Sequence, residues 1–269
     1  MARQGAKEVT GVAEVWSQGE AYERFMGRWS RLLAPQFLHW LRAPAGLRWA
    51  DVGCGSGALS AAILDHCAPS TLSALDPSEA QVGEAARRIQ DPRASFGIGT
   101  AGDLPAGSFD AVVSGLVLNF VPDVDAATSA MARAAPGGIV AAYVWDYAEG
   151  MQMLRTFWDV ACELDPAAAD LNEGHRFSFA NPEALAELWT GAGLTDVRTT
   201  AVMVPTVFED FDDFWSPFLG GQGPAPGYVA SLSEPAREEL RGALAARLPA
   251  GADGTIALMA KAWAVRGQA

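Results

Sequence analysis

The segment Asp51-Val-Gly53-Cys-Gly55-Ser-Gly57 constrains the fold of this chain more than any other. It follows a short apolar run, Leu47 to Val52, and precedes Ala58 to Cys67, which reads as a helix. Glycines at alternate positions between a strand and a helix let the chain turn sharply. They also bring backbone amides close to a ligand at the helix N-terminus.

The residues that follow repeat the strand–helix alternation. Thr71 to Leu75 reads as a second strand, and Ser78 with Gln81 as a capping box opening a helix that runs to about Ile89. A third strand is placed around Phe96, a fourth from Phe109 to Ser114 and a fifth from Gly138 to Trp145, with a helix near 124–134. Strands alternating with helices predict an α/β fold, a doubly wound and mostly parallel sheet of seven strands covered on both faces. Upstream, Tyr22, Phe25, Met26, Trp29, Leu32 and Leu33 have helical spacing, and Pro35 is expected to split that segment into two helices.

Downstream, a short helix is expected near 151–162. Asn181-Pro182 then opens another that ends at Gly191 and Gly193. Leu194 to Val204 and Thr255 to Val265 read as a late antiparallel strand pair. The 207–250 stretch between them is dense in Phe, Trp, Gly and Pro and too long for a hairpin loop, so it is expected to cap the carboxyl edge of the sheet, where ligands of open α/β sheets bind. The expected organisation is a helical cover (1–45), a cofactor-binding core (46–146), and a remainder (147–269) that completes the sheet and carries cap insertions at about 147–180 and 207–250, all in one structural domain.

Composition narrows the function. The formal net charge is −13 with no basic cluster, which disfavours nucleic acid and anionic membranes as partners. No apolar run reaches the length of a membrane span, and the N-terminus lacks a signal-peptide core, so a cytoplasmic location is expected. Cys54, Cys67 and Cys162 are widely spaced, as are His39, His66 and His175, so neither a disulfide framework nor a metal-ligand set is expected.

On the glycines alone, two cofactor classes stay open. Gly53, Gly55 and Ala58 also satisfy the dinucleotide fingerprint, and Asp76, after the second strand, is placed to grip a ribose diol in either case. The wider pattern separates them. Asp51-Val-Gly53-Cys-Gly55-Ser-Gly57 resembles motif I of the class I S-adenosylmethionine-dependent methyltransferases, with Asp51 at the acidic place two before the first glycine. Leu75-Asp76-Pro77-Ser78 resembles that family's ribose-binding strand end, and the stretch from Gly102-Asp103-Leu104-Pro105 to Phe109-Asp110 its lead into the fourth strand. Tyr22 to Ser30 looks like the N-terminal helix of the branch related to ubiquinone and menaquinone biosynthesis enzymes, which closes over the cofactor.

The resemblance implies methyl transfer from S-adenosylmethionine to oxygen, nitrogen or carbon of a small, apolar or aromatic metabolite. It assigns the Gly53–Gly57 turn, Ser56 included, to the methionine and ribose, Asp76 to the ribose, and Pro77, Thr100 and Ala101 to the adenine, with Ser114 closing the fourth strand beside them. Arg28 is expected to pair with the methionine carboxylate in two-point geometry, with Tyr22 adding a hydroxyl contact.

The sequence departs from the family twice. Thr100 stands where many members carry an Asp for the adenine amino group, and Leu118-Asn119-Phe120 stands where many carry a histidine. Methyl transfer needs alignment and exclusion of water more than acid–base machinery. His175 and Asp146 are the candidate bases or positioning groups, and Met26, Trp29, Trp145, Tyr147 and Trp215 the candidate pocket lining. The rival readings are a nicotinamide-dependent oxidoreductase and a relative that binds the cofactor without turnover.

Overall fold

The computed structural model describes residues 27–172, 174, 179–220 and 223–269. Tyr22, Met26 and His175 lie outside the described residues.

The chain opens with α1 (Arg28–Leu41) and then alternates β1 (Arg48–Val52), α2 (Ala58–His66), β2 (Thr71–Asp76), α3 (Glu79–Arg88), β3 (Ala94–Ile98), β4 (Ala111–Gly115), α4 (Val124–Ala134) and β5 (Ile139–Trp145). It continues through α5 (Gln152–Leu164), α6 (Pro182–Gly191) and β6 (Thr195–Phe208). Three helices follow, α7 (Phe211–Trp215), α8 (Pro224–Ser231) and α9 (Glu234–Arg247), before β7 (Ile256–Gln268). The seven strands form one sheet in the order β3-β2-β1-β4-β5-β7-β6. β1 to β5 pair in parallel, and β7 is antiparallel to both β5 and β6. The late pair therefore enters with its second strand inside the sheet and its first at the edge.

Local chemistry sets the boundaries. The side chain of Ser78 accepts the Gln81 N–H at the start of α3, Asp123 accepts that of Ala126 before α4, and Asn181 accepts that of Ala184 before α6. All seven residues of β5 are buried, as expected of a central strand covered on both faces. One face packs against α1 through Leu33, Phe37 and Leu41, all without solvent exposure. The other is covered by α4 and α6, where Trp189 donates from Nε1 to the Val140 carbonyl at 3.0 Å.

Pro35 does not split the N-terminal segment. It lies inside the continuous helix α1, correcting the expectation of two helices. The apolar stripe of α1 (Leu33, Ala34, Phe37, Leu38 and Leu41) is fully seated on the core on both sides of the proline. Its burial outweighs the one lost helical hydrogen bond.

β6 and β7 run past the end of β5. The last β5–β7 pair is Trp145 with Ala262, whereas β6 and β7 stay paired from Met203 and Lys261 out to Phe208 and Ile256. At about 3.3 Å per residue, these arms carry the α7–α9 insertion roughly 20 Å beyond the carboxyl edge. The insertion holds together through aromatic rings. Phe208 meets Phe214 at 5.3 Å between centroids, Phe214 meets Phe218 at 5.5 Å, and Phe218 stacks on Phe157 of α5 at 4.5 Å. Pro35→Ala should restore the missing helical hydrogen bond and raise stability by about 1 kcal/mol or more; a denaturant titration of the two proteins checks this.

Candidate cofactor cleft

A cavity of about 730 Å³ opens at the carboxyl ends of β1, β2 and β4. That size is within the range of small-molecule sites. Its lining includes Gly53, Gly55, Ser56, Asp76, Pro77, Thr100, Ala101 and Ser114, eight of the positions that the sequence suggested for a cofactor.

The turn after β1 is built as its glycines demand. Gly53, Gly55 and Gly57 have φ of 72°, 52° and 88°, a region that side chains disfavour. A Cβ at Gly53 would stand 2.5 Å from the Val117 side chain, and one at Gly57 would stand 2.6 Å from that of Ile89. Gly55 differs. A Cβ there would meet no atom within 4 Å, so the space beside it is open to a ligand.

Asp76, at the end of β2, anchors the turn. Its Oδ2 accepts the Gly55 N–H and its Oδ1 the Ser78 N–H, both at 2.9 Å. Each oxygen keeps a lone pair for a hydroxyl, which suits a ribose diol. At the far side, the Thr100 hydroxyl donates to Asp103 at 2.9 Å and its oxygen remains an acceptor. Ser114 donates to the Val52 carbonyl at 2.8 Å, joining β4 to β1. Cys54 also lines the cavity; burial and the charges of Asp51 and Asp76 push its thiol well up, so it stays protonated.

Asp51 and Gly57 are outside the lining. Asp51 is 1% exposed; its Oδ2 accepts the Ser60 hydroxyl at 2.7 Å and its Oδ1 has no partner. Burial, helped by the charge of Asp76 and opposed by the Ser60 hydrogen bond, pushes its carboxyl up to about 7. Gly57 precedes α2 as its N-cap.

Arg28 is not in the lining either, although its neighbours Gly27 and Ser30 are. Its Nη1 reaches both oxygens of Asp213 on α7, at 2.9 and 3.1 Å. The guanidinium lies over the rings of Trp29 and Phe208, 4.2 and 4.7 Å from their centroids, and Nε and Nη2 are buried without a partner.

The candidate catalytic and pocket residues need correction. Asp146 is 3% exposed and outside the cavity lining. Its Oδ2 meets Lys261 Nζ at 2.8 Å and accepts Trp263 Nε1 at 3.1 Å, and its Oδ1 accepts the Glu149 N–H. It straps the exit of β5 to β7 and is enclosed by these partners, which leaves no approach for a substrate. Trp29, Trp145 and Trp215 are buried in the apolar core and, like Tyr147, which packs against that core, do not line the cavity. Their bulk goes into joining α1, β5 and the insertion. In their place the cavity wall holds Leu116, Val117, Leu118, Phe120 and Val121 after β4, with Tyr143 from β5. Leu116 has φ of 63°, unusual for a branched side chain, and its N–H donates to the Tyr143 carbonyl at 2.8 Å.

The comparisons meet this geometry at the same residues. Residues 50–142, which hold the glycine turn, Asp76 and Thr100, match the family model of a methyltransferase domain. Over these residues the chain is similar to a methyltransferase domain. The cofactor of such domains is S-adenosylmethionine, and the cleft fits it, with open space at Gly55 and a carboxylate suited to a ribose.

A curated relative, trans-aconitate 2-methyltransferase of Deinococcus radiodurans, is 29% identical over 162 residues. That match covers 58% of this chain and 62% of the relative's length. Two solved structures share the fold. YcgJ of Bacillus subtilis has 17% identity and a TM-score of 0.56, covering 90% of this chain and 98% of its own. Phosphoethanolamine N-methyltransferase 2 of Haemonchus contortus, solved with phosphomonomethylethanolamine and S-adenosylhomocysteine, has 18% identity and a TM-score of 0.55, covering 93% of this chain and 56% of its own. Among the described residues no helix is long and apolar enough to cross a membrane.

The buried Asp51 carboxyl yields a test by pH. Its folded pKa of about 7 lies above that of an unfolded aspartate, so the folded state holds an extra proton and stability falls as pH rises from about 4 to about 7. Asp51→Asn should flatten that slope and leave the cofactor-free protein more stable than wild type at pH 8. Denaturant midpoints measured across this range check it.

Proposed function

We propose that this chain transfers a methyl group from S-adenosylmethionine to oxygen, nitrogen or carbon of a small, apolar or aromatic metabolite. The observation that carries this reading is one continuous cavity. Its one lining brings the ribose-type carboxylate and the open glycine turn together with the apolar side chains of Leu116, Val117, Leu118, Phe120 and Val121. When bound, the cofactor supplies an already activated methyl group on its sulfonium.

The chain's own groups then have to hold, align and exclude water. Asp76 holds the ribose diol, and the Gly53–Gly57 turn presents backbone to the ribose and methionine. Pro77, Ala101 and the acceptor oxygen of Thr100 meet the adenine. Arg28 stands beside the cleft with Nη1 on Asp213, and its unpaired Nε and Nη2 would have to turn out of the aromatic stack to meet the methionine carboxylate. The apolar wall keeps bulk water from the acceptor. Such a wall suits a ring or hydrocarbon body, which is why an apolar or aromatic acceptor is favoured over a highly charged one.

Calorimetric titration with S-adenosylmethionine, S-adenosylhomocysteine and NADH tests the reading. Both adenosyl ligands should bind, and Asp76→Ala should weaken them about tenfold or more, the size of one or two charge-assisted hydrogen bonds. Binding of NADH alone would make the turn a dinucleotide site and defeat the proposal. Arg28→Ala should raise the dissociation constant for S-adenosylhomocysteine by a similar factor. Unchanged affinity would leave the free edge of Arg28 to an acid group on the acceptor, the chemistry named for the Deinococcus relative.

A further inference from the structure

Tyr143 is the one residue of β5 that lines the cavity among the described residues. Its ring leaves the strand on the face covered by α1 and packs on Phe37, with centroids 4.6 Å apart. β4 and β5 pair in register at Gly115 and Tyr143. The ring occupies the space where Gly115 has no side chain: a Cβ there would stand 2.6 Å from Tyr143 Oη and 2.8 Å from Cζ. Any larger residue at 115 would displace the ring. The backbone of the same tyrosine accepts the N–H of Leu116, whose left-handed conformation turns the chain from β4 into the apolar wall. Glycine, strained leucine and tyrosine thus form one arrangement that brings a phenolic hydroxyl to the cavity.

Strand order says which end of the cavity this is. Thr100 follows β3, Asp76 ends β2 and the glycine turn follows β1, in a sheet ordered β3-β2-β1-β4-β5. Adenine, ribose and methionine laid across these ends in turn leave the reactive end over β4. β5 is the next strand, about 4.8 Å farther on. This placement rests on the methyl-transfer reading above.

We infer that the Tyr143 hydroxyl is the polar contact for the acceptor's nucleophile, and that this nucleophile is a heteroatom bearing hydrogen, an O–H or N–H group, rather than carbon. Leu116, Val117, Leu118, Phe120 and Val121 offer no side-chain hydrogen bond, so orientation falls to the polar side chains that line the cavity with them, and Tyr143 is the one that β5 supplies. A tyrosine oxygen that accepts the hydrogen of an O–H or N–H group directs the heteroatom's lone pair away from the ring, toward the methyl group. The new bond forms from that lone pair to the methyl carbon as the carbon–sulfur bond breaks, and its electrons return to sulfur. The heteroatom's proton then leaves to solvent. Tyr143 itself makes and breaks no covalent bond.

Phenol and toluene are the probes, because they differ by one O–H in place of a methyl group. On protein loaded with S-adenosylhomocysteine, saturation-transfer NMR titration should show phenol bound about fivefold more tightly than toluene, the size of one net hydrogen bond. In Tyr143→Phe, which keeps the ring on Phe37, the two should bind within about twofold of each other, while affinity for S-adenosylhomocysteine changes by less than about twofold. Gly115→Ala keeps the hydroxyl but displaces the ring, so it should lose the same preference; it decides the matter if Tyr143→Phe fails to fold. A preference retained in the variants, or none in wild type, overturns the inference and leaves the methyl-transfer reading standing. Failure of wild type to bind S-adenosylhomocysteine overturns both.

Discussion

The carboxylate of Asp76 holds together the chain that leaves β1 and the chain that leaves β2. One oxygen takes the Gly55 amide from the turn after β1, and the other takes the Ser78 amide that begins the approach to α3. The Leu75 carbonyl adds to the clamp by accepting the amides of Gly53 and Cys54 at 2.7 and 2.9 Å. These bonds fix the left-handed glycine turn against the end of β2. That in turn keeps the mouth of the cleft open at Gly55 and closed at Gly53, where Val117 packs. Ser114, bonded to the Val52 carbonyl, carries the same registration into β4. The cleft is therefore a property of strand ends locked to one another, and its walls inherit the rigidity of the sheet.

Much of this was readable in advance because the signals were local. Ser78, Asp123 and Asn181 cap helices by side chains reaching a few residues ahead, and the glycine turn declares its own backbone. The tertiary content was not. β5 reads Ile-Val-Ala-Ala-Tyr-Val-Trp with every residue buried, so no alternation marks the side chain that faces the cavity. Tyr143 and Trp145 even share a face. What separates them is a neighbour nearly thirty positions upstream: Gly115 makes room for the tyrosine, whereas Trp145 lies past the last β4 pair and is enclosed in the core. The conspicuous end of the strand, Trp145-Asp146-Tyr147, drew attention that belonged two residues earlier.

Pro35 and Asp146 make the same point from opposite directions. A proline breaks a helix only when nothing else holds it, and six core residues hold α1. An acidic residue at the carboxyl edge is a candidate base only when it is open to a substrate, and Lys261, Trp263 and the Glu149 amide surround this one. In both cases long-range packing decided the outcome.

The β6–β7 arms make the roof of this molecule an interchangeable module. Because the two arms satisfy each other's backbone past the end of β5, the helices strung between Phe208 and Ile256 hang from a stem that borrows nothing from the cofactor cleft. New chain lengths or shapes can be grafted there, with the cost of fitting met at Asp213 against Arg28, Phe208 against Trp29 and Phe218 against Phe157. None of the described insertion residues lines the cavity, so the shape of the roof can vary while the floor of the cleft stays the same.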